Sequence, residues 1–211
     1  MDGLHFISIS GRPSSGKDTQ ANLLAQQYPD AQVISTGDIF RGASHTDGQY
    51  GKYYPLIAPY IQGVNAGSLL PDDVIIYIVD DVVREKIAAG LRTIIFSGFP
   101  RTIPQLDTYR EWLKRLADDF LVQSDFFCLA VLEVRSRHLA DVRRNTPGIV
   151  VREDDLPQTV DRRLLVYREQ ILPMLKKLAK ERELKIIKSN RDIASIHGDV
   201  VGHVVRSLER E

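Results

Sequence analysis

The residues best suited to chemistry lie near the N-terminus, in the run GRPSSGKDT at positions 11–19. The run has the pattern G-x-x-x-x-G-K, follows the alternating apolar segment Leu4–Ser10 and precedes a helix-like segment. A loop in that position binds phosphate, because its backbone N–H groups, the helix N-terminus and a lysine, here Lys17, all favour an anion. The strict pattern has Ser or Thr directly after the lysine, whereas this chain has Asp18 there and the hydroxyl at Thr19. The sequence therefore predicts a phosphate site with an unusual carboxylate.

Polar residues and arginines follow the next predicted strands as well. The segment ISTGDIFR at 34–41 follows the second strand, and SGFPRTIPQ at 97–105 follows the third. Further on, Arg152 and Arg163 stand eleven positions apart. Segments after the ends of parallel strands gather at one edge of a sheet, so we expect these groups to converge there. Arginine offers phosphate a rigid, permanently charged fork, although each arginine taken alone is better explained as a solvated surface charge.

The composition limits the class of protein. A chain of 211 residues with 43% apolar content is most simply one domain with a real core. Lys+Arg and Asp+Glu are both 28, and this zero net charge argues against a general nucleic-acid binder. The single cysteine, Cys128, excludes an intrachain disulfide and a zinc site built on several thiolates. No run approaches the ~18 apolar residues of a membrane span, so we expect a cytoplasmic protein that does not enter the membrane.

Strand-like and helix-like segments alternate along the chain, which predicts an α/β fold with a parallel sheet and helices on both faces. The predicted strands are Leu4–Ser10, Gln32–Ser35, Arg92–Phe96, Asp125–Leu132 and Leu184–Lys188.

In two segments the sequence contains residues that favour a helix together with residues that disfavour one. The residues of Val74–Ile87 favour a strand by type, but their apolar positions repeat every four residues after a Pro71 start, so we predict a buried helix. The segment Leu156–Glu183 is predicted as a long helix that is interrupted near Pro173.

Two excursions fit this alternation poorly. Residues 37–70 are rich in Gly, Tyr and Pro, and residues 145–155 form a polar stretch between helices. Long excursions from an α/β core are often lids or substrate clamps, with tolerated surface insertion as the alternative.

Taken together and in this order, the motifs resemble those of the adenylate kinase family, nucleoside monophosphate kinases that move a phosphoryl group from ATP to AMP. The resemblance runs from Leu4 to about Pro173. It implies a P-loop kinase fold, with a five-stranded parallel sheet flanked by helices and two inserts. The implied parts are a core of 1–35, 71–142 and 156–211, an AMP-binding insert of 36–70 and a short lid of 143–155. The long lid that carries zinc in some relatives is absent, so we expect no structural zinc.

The resemblance also implies the roles of individual residues. The ATP-binding residues would be Ser14, Ser15, Gly16, Lys17, Asp18, Thr19, Arg143 and Arg152. The AMP-binding residues would be Thr36, Arg41, Ser68, Leu69, Leu70, Gly98, Phe99, Pro100, Arg101 and Gln105. The catalytic residues would be Lys17, Arg101, Arg143, Arg152 and Arg163, with Arg144 as the alternative to Arg143. Thr36 and the amide of Gln105 favour adenine as the acceptor base.

The chain departs from the family pattern at the phosphate site. Ser97 replaces the aspartate that in the family holds magnesium through its waters, and Ser14 and Asp18 replace glycines. If position 14 needs a left-handed backbone, a serine there costs roughly 1–2 kcal/mol. We hypothesise that Asp18 supplies the carboxylate that Ser97 lacks, so that Mg²⁺ lies between it and the β- and γ-phosphates.

The resemblance implies the reversible, Mg²⁺-dependent reaction of ATP and AMP to two ADP. The expected partners are these small nucleotides, without nucleic acid or membrane, and the expected state is a monomer. Two alternatives are a kinase for UMP or CMP and a catalytically weakened regulator that binds nucleotides.

Overall fold

The computed structural model describes residues 3–148 and 156–208. Its strands are β1 (Gly3–Gly11), β2 (Ala31–Ser35), β3 (Thr93–Ser97), β4 (Leu121–Ala130) and β5 (Leu184–Lys188). They form one five-stranded sheet in the order β2-β3-β1-β4-β5, and every pair of neighbours is parallel. The predicted α/β fold with a five-stranded parallel sheet is confirmed.

The predicted strand Asp125–Leu132 was wrong at both ends. The strand β4 begins at Leu121, and its first four residues are exposed or half-buried, so they lack the continuous apolar run of a buried strand. The apolar run continues to Leu132, but there the chain has already left the sheet, and Leu132 caps the next helix. The other four strands agree closely with the prediction: β1 is longer by one residue at each end, β2 begins one residue earlier, β3 is shifted by one residue from Arg92–Phe96, and β5 has its predicted bounds.

The helices lie between the strands and after the last one. They are α1 (Lys17–Ala25), α2 (Thr36–Ala43), α3 (Tyr54–Ile57), α4 (Ile61–Asn65), α5 (Asp72–Ala88), α6 (Ile103–Leu116), α7 (Glu133–Asn145), α8 (Pro157–Val166), α9 (Leu172–Lys180) and α10 (Ile193–Leu208), with short 3₁₀ turns at Gly51–Tyr53 and Ala58–Tyr60. In the described part of the chain, no helix has the length and apolarity needed to cross a membrane.

Both faces of the sheet are covered. Successive side chains of a strand point to opposite faces, and in β1 Phe6 belongs to one apolar cluster whereas Ile7 belongs to another. The cluster around Phe6 includes residues of α5, α6 and α9. The cluster around Ile7 includes residues of α1 and α10. The core is therefore the two layers between the sheet and these helices, with Cys128 buried in the first of them.

The helix predicted over Val74–Ile87 is confirmed as α5. Its buried residues are Ile75, Ile78, Val79, Val82 and Val83, which lie on one face of a helix. Pro71 stands directly before it, and Gly90 follows it with a φ of 90°. The strand preference of its Val and Ile residues is overridden because the helical spacing buries them.

The interruption predicted near Pro173 is also confirmed. A π-helical turn at Tyr167–Ile171 separates α8 from α9, and Pro173 lies just after it. Proline has no N–H to donate within a helix, so the local hydrogen-bond register changes. In this turn Arg168 contacts Glu133 of α7 at 2.5 Å, which ties the interrupted helix to its neighbour.

A buried carboxylate joins the sheet to the last helix. Asp125 of β4, 3% exposed, accepts hydrogen bonds from His5 Nε2 at 2.9 Å, from Ser207 Oγ at 3.1 Å and from Lys185. Burial favours the protonated carboxyl, but these hydrogen bonds and the charge of Lys185 hold the pKa of Asp125 below its ordinary value. The network fixes β1, β4, β5 and α10 relative to one another.

Candidate functional site

The segments that follow β1, β2 and β3 meet at the carboxyl edge of the sheet. The Ser97 hydroxyl at the end of β3 donates to the Asp18 carboxylate in α1. The Thr36 hydroxyl, directly after β2, donates to the Gly98 carbonyl at 3.1 Å. The convergence predicted from the parallel strands is therefore confirmed for these residues.

The loop before α1 leaves hydrogen-bond donors for an anion. Gly16 caps the helix in a left-handed conformation, with a φ of 87°, and its position has no side-chain cap. By helix geometry the first N–H groups of α1 then have no acceptor within the helix. Ser15 is 5% exposed, and its hydroxyl has no hydrogen-bond partner among the residues that the structure describes. These groups form a donor-rich cradle at a helix N-terminus, which suits phosphate.

Ser14 adopts the left-handed backbone conformation that the sequence analysis considered for this position. Its φ is 56°, so a residue with a Cβ occupies a left-handed position. The serine is therefore strained at a position where a glycine would be relaxed.

Arg12 fastens this loop to the rest of the edge, a contact that the sequence did not predict. Its Nη1 donates to the Val131 carbonyl at 2.7 Å, and its guanidinium lies 4.9 Å from the ring centroid of Tyr167. The Ser136 hydroxyl of α7 donates to the Pro13 carbonyl at 2.5 Å. The phosphate loop is thus held by the end of β4, by α7 and by the π-helical turn. Nothing in the local sequence links Arg12 to a tyrosine so far along the chain.

Asp18 is a half-buried carboxylate beside Lys17. Burial favours its protonated form, but the charge of Lys17, the hydrogen bond from Ser97 and the charges of Arg101 and Arg41 hold the pKa of Asp18 below its ordinary value. The carboxylate is therefore ionised at neutral pH. Within residues 3–148 and 156–208, no group of three or more His, Cys, Asp or Glu side chains could hold a metal ion. A cation at Asp18 would accordingly need further oxygen ligands from a bound molecule.

Arg101 is aimed by contacts with the neighbouring loop. Its Nε donates to the Gly98 carbonyl at 2.6 Å, and its Nη2 donates to the Thr36 hydroxyl at 2.8 Å. Gly98 has a φ of 78°, and a Cβ at that position would lie 2.7 Å from Arg101 Nη2. Any other residue would strain the backbone and displace the guanidinium. Thr36 therefore serves to hold Arg101.

Three arginines from different segments are close enough to influence one another. Burial, together with the positive charges of Arg163 and Arg41 and against the opposing charge of Asp18, lowers the pKa of Arg101 to about 10. Gly67 lies against Arg163, because a Cβ at that glycine would be 3.1 Å from the Arg163 Cγ. We call Arg41, Arg101 and Arg163 the arginine cluster. Like charges held together in a partly buried place favour the binding of a multivalent anion.

A cleft of about 270 Å³ is lined in part by Thr102 and Arg162, the chain neighbours of Arg101 and Arg163. Ser68, Leu69 and Leu70 line it together with Asp72 and Thr102. The predicted AMP-binding residues Ser68 to Leu70 thus share one cavity wall.

Gln105 lies behind the wall of this cleft and is 2% exposed. Its Nε2 donates to Asp72 Oδ1 at 2.7 Å, and its Oε1 accepts from the backbone N–H of Arg101 at 2.8 Å. Asp72 was absent from the predicted site, because its position in the first turn of α5 explains an acidic residue by itself.

For the remaining predicted site residues, the structure shows less direct support for contact with a nucleotide. Phe99 is buried in the core, with its ring centroid 5.4 Å from that of Phe96, and its peptide bond to Pro100 is cis. Arg143 lies in the last turn of α7, where the neighbouring Arg144 pairs with Asp141 at 2.8 Å. Arg152 and the rest of 149–155 lie outside the described residues, so the predicted lid stays a prediction.

Comparison with known proteins decides the family. The family model described as adenylate kinase matches residues 9–183. The adenylate kinase of Parabacteroides distasonis is 31% identical over 194 residues, which is 92% of this chain and 94% of the relative. Those of Rhizobium meliloti and Bartonella bacilliformis are 31% and 29% identical over 198 residues, with 90% of this chain and 94% of each relative covered.

The chain belongs to the adenylate kinase family. The resemblance predicted from the motifs is confirmed, and with it the P-loop kinase fold and the class of nucleoside monophosphate kinases. Adenylate kinases bind the nucleotides ATP, AMP and ADP and generally use ATP with magnesium. The departures at Ser14, Asp18 and Ser97 are thus variations within an adenylate kinase framework.

We predict that Ser14→Gly stabilises the protein relative to Ser14→Ala by about 1 kcal/mol, because glycine relieves the left-handed strain. Both variants remove the hydroxyl, so their difference isolates the effect of the Cβ. The free energy of unfolding in urea measures it. Equal stability of the two variants would show that the loop bears no strain at this position.

Proposed function

We propose that the chain is an adenylate kinase that transfers the γ-phosphoryl group of ATP to AMP and so forms two ADP, reversibly. The observation that carries the proposal is the arginine cluster, which lies with the phosphate loop at one edge of the sheet. Singly these arginines would be ordinary surface charges. Together they form a site for more than one phosphate group.

The phosphate loop is proposed to bind the donor, ATP. The N–H groups at the start of α1 and the unpartnered Ser15 hydroxyl face the phosphates, and Lys17 adds a full positive charge. Ser14, Gly16 and Thr19 are the remaining residues of the loop proposed to contact ATP. Arg143 and Arg152 are proposed to reach the donor from α7 and from the lid.

The cleft beyond β2 and β3 is proposed to bind the acceptor, AMP. Arg41 and Arg101 hold its phosphate, and Gly98 leaves room for the Arg101 guanidinium. The segment from Ser68 to Leu70 lines the cleft in which the base would lie, and the amide of Gln105, directly behind Asp72 in the wall of that cleft, is proposed to contact the base. The predicted contacts of Phe99 and Pro100 are attributed to their backbone, because both side chains are buried.

Transfer follows from holding the two nucleotides in line. An oxygen of the AMP phosphate forms a bond to the γ-phosphorus while the bond from that phosphorus to the β,γ-bridging oxygen breaks, and ADP leaves with the electron pair. Little covalent help is needed, so catalysis is positioning and compensation of negative charge. Lys17, Arg101 and Arg163, with the proposed Arg143 and Arg152, supply that compensation.

The residues at the phosphate loop fit magnesium. The Asp18 carboxylate and the Ser97 hydroxyl are oxygen donors in contact with each other, and Mg²⁺ is held by one or two carboxylates together with substrate phosphates. When bound with ATP, the ion neutralises charge on the phosphates. We propose that Asp18 supplies the carboxylate on this side of the site.

For the reaction itself, we predict ADP formation from ATP, Mg²⁺ and AMP in a coupled assay. Arg101→Ala should lower kcat/KM for AMP about 100-fold or more, because it removes a positive charge that compensates the charge of the phosphates during transfer. Arg115→Ala, a change at an exposed arginine of α6, is the control and should leave kcat/KM unchanged. A stronger activity with UMP or CMP would support the pyrimidine alternative. Nucleotide binding without any turnover would support the regulator.

For the metal site, we predict that Asp18→Asn lowers the apparent affinity for Mg²⁺ about 10–100-fold, because the carboxylate orients the ligands of the ion. ATP binding without Mg²⁺, measured by calorimetry, should be unchanged or tighter, because a negative charge is lost. The double variant Asp18→Gly with Ser97→Asp moves the carboxylate from the start of α1 to the end of β3 and should restore Mg²⁺ dependence. An Asp18→Asn enzyme with an unaltered Mg²⁺ titration would refute the assignment.

A further inference from the structure

The side-chain amide of Gln105 is held by two partners of opposite kinds. Its NH₂ group faces the carboxylate of Asp72, and its carbonyl faces the backbone N–H of Arg101. Gln105 is almost completely buried, so neither end can turn to water instead. Asp72 also lines the cleft proposed for the acceptor base.

Neither partner can exchange its role. An ionised carboxylate only accepts hydrogen bonds, and a backbone N–H only donates. If the amide turned over, its carbonyl would face the carboxylate and its NH₂ group would face the N–H, and both hydrogen bonds would be lost. The structure therefore permits one orientation of the Gln105 amide.

Asp72 is itself held in place. The Thr102 hydroxyl donates to the same Oδ1 atom at 2.9 Å and accepts from the backbone N–H of Gln105 at 3.2 Å. The carboxylate and the amide are thus fixed to one another and to the start of α6.

We propose that Asp72 is a positioning residue that sets the acceptor-base selectivity of this enzyme by locking the amide of Gln105. The inference rests on the proposed function, in which Gln105 reads the base. One N–H and one carbonyl lone pair of the amide remain for a ligand. Adenine has a ring-nitrogen acceptor beside an amino donor, whereas a 6-oxo purine has an N–H donor beside a carbonyl acceptor. In one place the two bases need opposite orientations of the amide, so the locked amide pairs with adenine and opposes the 6-oxo purine.

The test is the ratio of kcat/KM for AMP to kcat/KM for IMP, at saturating ATP and Mg²⁺. In Asp72→Asn the new amide can offer either an oxygen or an NH₂ group, so only the backbone N–H of Arg101 still opposes a turned Gln105 amide, and turning costs one hydrogen bond instead of two. The AMP-to-IMP ratio should fall about tenfold or more, since one matched hydrogen bond is worth about that factor. The KM for ATP should not change.

Asp73→Asn is the matched control. Asp73 is the exposed acidic residue beside Asp72 in the first turn of α5, so this variant loses the same charge near the helix N-terminus without touching Gln105. It should keep the wild-type ratio. Asp72→Ala should show the same fall in the AMP-to-IMP ratio as Asp72→Asn. Measuring both variants keeps the test valid if one of them folds poorly.

Because Asp72 also lines the cleft, the same Asp72 changes made together with Gln105→Leu separate a direct contact with the base from an effect through the amide: without the amide they should leave the ratio unchanged, and a fall of the same size there would overturn the inference. An unchanged ratio in both Asp72 variants would overturn the inference, and so would an equal loss of activity with AMP and IMP. Calorimetric binding of AMP and IMP tests the inference about Asp72 independently of the proposed kinase activity. If the wild type prefers AMP and both Asp72 variants lose that preference, but no ADP is ever formed, the function fails and the inference stands.

Discussion

The burial of the Arg101 guanidinium near two further arginines is the constraint on which this site depends. Burial, followed by the charges of Arg163 and Arg41, lowers the pKa of Arg101. Two neighbouring residues fix the position of Arg101: Gly98 leaves room for its guanidinium, and the Thr36 hydroxyl accepts a hydrogen bond from it. An arrangement that disfavours its own charges gains free energy when a phosphate enters. That gain is available only because the parallel sheet brings the segments after β1, β2 and β3 to one edge.

The departures from the family pattern concentrate on the donor side of the site. Ser14 strains the loop that binds phosphate, and Asp18 adds a negative charge beside Lys17 where the resemblance implies a glycine. The hydrogen bond from Ser97 shows that the two substituted positions touch. A carboxylate moved from the end of β3 to the start of α1 remains at the same place in the fold, which gives the two changes one physical explanation.

Features with a local cause were predictable from the sequence. The phosphate loop follows from its glycines, Lys17 and the strand before it, and α5 follows from the spacing of its apolar residues. The start of β4 was missed because its first residues are partly exposed. The contacts of Arg12 with Tyr167 and of Asp72 with Gln105 join residues far apart in the chain. No local pattern carries that information, since both pairs depend on how the helices pack.

A compound in which two adenosines are joined by a pentaphosphate spans the proposed donor and acceptor sites at once, and its calorimetric binding tests the account most directly. We predict that it binds about 10²–10⁴ times more tightly than either ATP or AMP alone, because the second half binds without a separate encounter. The affinity should fall with rising salt, as expected for guanidinium groups that hold phosphates. An affinity no greater than that of ATP, in folded protein, would contradict the claim that the phosphate loop and the arginine cluster face one another across a single site.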